Sequence, residues 1–270
     1  MLSTPRAALL TMLAVISGCA QTGTLSVETW GEEFIEQGLP REVFADGWAI
    51  TFDAFLVSLA AVEISSADGA AVSTLQTPAI FDLVQPGPVT VVDVGEVEAK
   101  RYDQVGATVA PAADAVAGSA SAEDTARMTA GEHSVLVEGT ATKGADSFTF
   151  AWTFQTATRY ADCQGEDGAG LVVRGGEANT MQLTVHGDHL FYDDLAAEDA
   201  VLRADAIFAA DANDDGAVTQ AELSAVDLST LPVDQYGNAG DAESLGDFIT
   251  ALSRTLIHFN GEGECSISAP

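Results

Sequence analysis

Oxygen donors are concentrated between Asp211 and Glu222, where the chain reads Asp-Ala-Asn-Asp-Asp-Gly-Ala-Val-Thr-Gln-Ala-Glu. Asp211, Asn213 and Asp215 alternate, so on a curved loop their side-chain oxygens converge from one side. Gly216 permits a sharp turn that a Cβ would hinder. A hard cation that takes about six to eight oxygens in irregular geometry suits this donor set, and calcium is such a cation. A second group is based on nitrogen. His186 and Asp188 stand two apart, on one face if the segment is a strand, and His189 follows. With a third nitrogen from His133 or His258, these imidazoles and the carboxylate would make a zinc or copper site. Trp30, Trp48 and Trp152 are candidates for stacking on sugars, although Trp152, with Phe neighbours at every second position, fits a core better. The chain carries no GxSxG elbow, no phosphate-binding glycine loop and no HExxH pair. Acidic residues are too abundant for any two to be singled out as a glycosidase pair.

The 211–222 segment resembles the loop of EF-hand proteins at every constrained position. The resemblance implies that Asp211, Asn213, Asp215 and Glu222 ligate calcium, Glu222 with both oxygens. Ala217 would offer its backbone carbonyl, and Thr219 would act through a water. Val218 takes the apolar position that pairs with a neighbouring loop. Such loops usually come in pairs, and the segment from Asp234 to Leu245, although acidic and glycine-rich, lacks a glutamate at its twelfth place. A structural calcium is therefore expected rather than a cooperative sensor.

Two kinds of element would position these groups. From Leu25 to about Tyr192 the pattern is mainly β. Ser147 to Gln155 alternates strictly, with Phe148, Phe150, Trp152 and Phe154 on one face, and with Ser134 to Thr142 before it reads as a hairpin around Lys143 to Asp146. Several short strands between glycines and prolines predict an antiparallel β-sandwich over 25–192. Residues 110–129, rich in Ala, Ser and Asp without apolar periodicity, read as a long surface loop. Helical spacing then appears over 196–210, 220–226 and 243–259, which predicts a small EF-hand-like helical module over 193–270. Gly23 to Val27, Ile50 to Ile64 and Phe81-Asp82-Leu83 resemble bacterial lipoproteins that carry a carbohydrate-binding-like β-sandwich of unknown function. No binding residue is carried over from that likeness.

The first residues address the chain. A short n-region and an apolar stretch over 7–16 lead to Ile16-Ser17-Gly18-Cys19, which resembles the bacterial lipobox. The resemblance implies a signal peptide over 1–18, a lipid on Cys19 and a tether over 19–24. Ala20, in place of the aspartate that retains lipoproteins at the inner membrane, implies sorting to the outer membrane. With Cys19 assigned to lipid, Cys163 and Cys265 remain as an even pair in an oxidising compartment, and a disulfide between them is expected. Against 10 basic residues stand 41 acidic ones, a net charge of −31, which repels nucleic-acid phosphates and excludes that partner class. The leading expectation is an exported, lipid-anchored binding or structural protein whose helical module calcium stabilises, with its protein or glycan partner unidentified. The alternatives are a copper- or zinc-handling protein built on His186, Asp188 and His189, and a calcium-dependent hydrolase.

Overall fold

The computed structural model describes residues 20–72, 74–197, 200–232 and 235–270. Residues 1–18, read above as a signal peptide, lie outside the described residues, as do Cys19 and Asp234. The chain is mainly β, built around two sheets. In the smaller, Thr22–Trp30 is central, flanked by Val89–Glu98 on one side and Ala178–Val185 on the other, with Ile257–Phe259 at the edge beyond. The larger runs in the order Ala217–Thr219, Asp146–Phe154, Val135–Lys143, Ala49–Ser65, Gln104–Val109, Thr158–Gln164 and Glu264–Ser268.

The sheets are mixed, which corrects the expectation of a purely antiparallel sandwich. Thr22–Trp30 runs parallel to Ala178–Val185, and Ala217–Thr219 runs parallel to Asp146–Phe154. Alternation along a strand reports which face is buried and carries no information on the direction of its neighbour. The first parallel pair joins segments 154 residues apart, so most strands of the larger sheet are laid down between them.

The predicted hairpin is present: Lys143 pairs with Asp146 across a tight turn in which Gly144 takes φ +62°. Phe150, Trp152 and Phe154 point into the core from one side of that strand, and the Trp152 indole donates to the Val218 carbonyl at 3.1 Å. Leu25, Val27, Met181, Leu183 and Val185 meet them from the smaller sheet.

Three local expectations change. Residues 110–129 do not form a plain loop: Ala122–Ala130 is a helix capped by the Ser121 hydroxyl. Met128 packs with Leu56, Ile80 and Leu136 in a second small core. Met128 is the one buried residue of this helix, so no repeat of large apolar residues marked the helical period. The helix predicted over 196–210 shrinks to Asp205–Phe208 among the described residues. Carboxylates intercept its amides, Asp194 accepting from Ala196 and Ala197, and Asp46 from Ala204 and Asp205. The segment over 243–259 divides into the helix Leu245–Leu252, capped by Ser244 and Asp247, and the strand Ile257–Phe259. That strand pairs with Ala178–Val185, placing His258 opposite Thr184.

Candidate metal centre

The Ala178–Val185 strand delivers His186 at its end, and the His186 amide donates to the Leu256 carbonyl at 2.9 Å, one step beyond the ladder. The chain then turns. Gly187–Phe191 is a 3-10 helix, not a continuation of the strand, so His186 and Asp188 do not share a strand face. Gly187 is required here: a Cβ would sit 2.8 Å from the Ile35 side chain and 3.3 Å from the Phe52 ring. The turn brings His189 round toward His186, and the edge strand supplies His258.

One ring nitrogen from each of His186, His189 and His258 lies within 4.8 Å of the other two. Ring centroids are 4.3 Å apart for His186 and His258, 5.0 Å for His189 and His258, and 5.5 Å for His186 and His189. All three side chains are buried. His186 Nε2 and His258 Nδ1 have no hydrogen-bond partner within the protein. Orphaned, buried ring nitrogens of this kind are costly unless something satisfies them.

The state of His189 follows from its neighbour. The Thr255 hydroxyl has one proton and donates it to the Leu252 carbonyl at 2.9 Å. Its oxygen therefore accepts from His189 Nδ1 at 2.9 Å, which leaves Nε2 with a free lone pair. Orientation of a ligand histidine through its other nitrogen is the usual arrangement around metals. Burial, reinforced by the adjacent His258 and His186, pushes the His189 pKa down to about 3. Burial and His186 also lower that of His258. The His189 and His258 rings are thus neutral, ligand-ready imidazoles at ordinary pH.

Carboxylates flank the histidines. Glu32 Oε2 stands 3.9 Å from His186 Nε2, and Glu262 Oε2 stands 3.9 Å from His186 Nδ1. Glu32, His186 and Glu262 form a second group of donors within 4.8 Å, sharing its histidine with the first. Glu32 reaches this place from a left-handed backbone, φ +53°, at the start of the short helix Glu32–Glu36. Its pKa is raised by burial, with His186 opposing. Asp188 is raised chiefly by burial as well; it accepts from the Tyr192 hydroxyl at 3.0 Å, and Tyr192 lies against the His189 ring with centroids 4.5 Å apart.

Of the nitrogen donors anticipated from sequence, His186 and His189 come together and His258 supplies the third. Asp188 turns to Tyr192, and His133 lies elsewhere, against Gly131. Glu32, Thr255 and Glu262 carried no sequence signal, because strand pairing alone brings them to the histidines.

The 211–222 loop is built largely on its own amides. Asp211 accepts from Gly216 N at 2.9 Å, Asn213 from Asp215 N at 2.9 Å, and Asp215 from Ala217 N at 2.9 Å. Gly216 takes φ +77°. Thr219 caps the helix Gln220–Ala225, and Glu222 Oε2 accepts from the Thr219 amide and hydroxyl at 2.9 and 2.8 Å, which holds its pKa down. Val218 is buried and pairs with Phe150 at the edge of the larger sheet. Among the described residues the three carboxylates Asp211, Asp215 and Glu222 are not drawn within 4.8 Å of one another, as the histidines are.

Cys163 and Cys265 are joined in a disulfide that ties Thr158–Gln164 to Glu264–Ser268. Among the described residues no helix is long and apolar enough to cross a membrane. No protein-family model matches the chain, and neither a curated protein nor a solved structure does.

Proposed function

We propose that this is an exported, lipid-anchored protein whose working centre is a transition-metal site formed by His186, His189 and His258. The observation that carries the reading is the convergence of three buried ring nitrogens within 4.8 Å of one another. Neutral imidazoles favour borderline divalent ions, copper above zinc in intrinsic affinity, over magnesium or calcium. The disulfide removes Cys163 and Cys265 as thiolate ligands, which leaves an all-nitrogen set with carboxylates beside it. Glu32 and Glu262 add negative charge next to a bound cation and lower the cost of its burial.

The test is metal titration of the mature chain after chelation, followed by elemental analysis. One equivalent of zinc or copper should be retained by the wild type and lost from His258→Ala. Equal retention in both would overturn the reading.

A second metal belongs to the same proposal: calcium held by Asp211, Asn213, Asp215, the Ala217 carbonyl and Glu222, with Thr219 acting through a water. The pairing of Val218 with Phe150 favours it, because it seats the loop on the edge of the larger sheet. Calcium there would fasten the Gln220–Ala225 helix to the β structure. Its output is stability, and the histidine site carries the function.

A further inference from the structure

His189 and His258 do more than face each other. Both line a cleft of about 500 Å³, which His186 does not line. A metal ion bound by the three rings would therefore have its free side toward this cleft. Asp188 is held by Tyr192, and Glu32 and Glu262 stand at the two nitrogens of His186. Metal sites with three protein ligands and an open fourth position exchange that position with small molecules, unlike closed structural sites.

The walls select what can approach. Glu262, Glu264 and Asp194 line the cleft, and among the described residues that line it there is no Lys or Arg. The side chain of Glu262 is 68% exposed, so it stands at the mouth and not beneath it. Leu195 and Leu252 add apolar surface to the same walls. Fields in a cleft of low-dielectric walls are focused, and the net charge of −31 adds to them at long range.

We propose that the metal keeps an exchangeable position open to this cleft, and that its ligand is a small nitrogen donor bearing a positive charge away from the donor atom. This rests on the three-histidine reading. The neutral nitrogen takes the coordination position and its lone pair displaces water, with no proton or electron transferred. The ammonium end lies among Glu262, Glu264 and Asp194. An anionic donor of the same shape has to pass the same three carboxylates and is disfavoured.

The experiment uses the mature chain loaded with cobalt(II), whose visible spectrum reports each change in coordination. Two pyridines present one donor with opposite charges: 4-(aminomethyl)pyridine, a cation at neutral pH, and pyridine-4-carboxylate, an anion. Neither can chelate through its remote substituent. The cation should shift the spectrum and bind at least about tenfold more tightly than the anion at low salt. The gap should narrow with added salt and in the Glu262→Gln, Glu264→Gln double variant, which keeps the three histidines. If cobalt binds and neither pyridine moves the spectrum, the site is closed and the inference is wrong. Equal affinities for the two probes would overturn the charge selection. Failure of cobalt to bind at all would instead overturn the three-histidine reading, and this inference would fall with it.

Discussion

The depressed pKa of His189 makes the metal-free protein sensitive to acid in a way that can be worked out. In the unfolded chain a histidine titrates near 6.5, whereas in the fold burial brings His189 down to about 3. Above pH 6.5 the ring is neutral in both states and contributes no pH dependence. Below it the unfolded chain takes up a proton that the folded chain refuses. Stability is therefore present above the unfolded pKa and is lost as pH falls toward the folded one, with a slope of about 1.4 kcal/mol per pH unit for one proton. Over the whole interval the upper limit is roughly 5 kcal/mol, a large share of the stability of an ordinary domain. His258, also lowered, acts in the same direction. The perturbation is His189→Gln, which removes the titrating group. The assay is urea unfolding in chelator at pH 7, 6, 5 and 4, followed by tryptophan fluorescence. Carboxylates titrate alike in both proteins, and loss of the Thr255 hydrogen bond shifts the variant by a constant, so the difference in slope isolates the ring. The variant should lose up to about 1.4 kcal/mol less per pH unit between pH 6.5 and 4. Parallel pH profiles for the two proteins would refute the reasoning and show that His189 is solvated or paired in the fold.

The Cys163–Cys265 bond spans 102 residues, and replacing both cysteines with serine should cost about 4–5 kcal/mol on the chain-entropy estimate, read as a drop in the urea midpoint; a change below about 1 kcal/mol would show that the unfolded chain is already held compact. Calcium should raise the unfolding temperature of the wild type, and Glu222→Gln should remove most of that rise, with Asp68→Asn as a remote acidic control. Equal calcium shifts in wild type and Glu222→Gln would place the ion elsewhere. Cys19→Ser should release the protein from membranes; unchanged fractionation of the variant would remove the lipid anchor from the account.

Elements whose signal is local could be read from the residues. The strict alternation of Ser147 to Gln155 gave a strand with Phe150, Trp152 and Phe154 inside, and the Ser134 to Thr142 segment gave its hairpin partner. The helix Gln220–Ala225 and the Cys163–Cys265 bond were equally plain. What failed were features set by distant segments. Parallel pairing of Thr22–Trp30 with Ala178–Val185 depends on everything folded between them. The Ala196 to Ala210 stretch has helix formers throughout, but Asp194 and Asp46 claim its amides. At the candidate metal centre, His186 and His189 were visible as neighbours. The third histidine of the cluster was not, since His133 and His258 looked equivalent until Ile257–Phe259 paired beside the strand that ends in His186. Glu32 and Glu262, each far from His186 in sequence or lodged in a turn, had no pattern to betray them.

X-ray absorption of the zinc-loaded mature chain tests the central claim most directly, because it counts the donors around the ion. The account requires three imidazole nitrogens at about 2.0–2.1 Å, with the outer-shell scattering of intact rings and one further light atom at the open position. A shell made of oxygens, or one holding fewer than two imidazoles, would contradict it and return the histidines to a purely structural role.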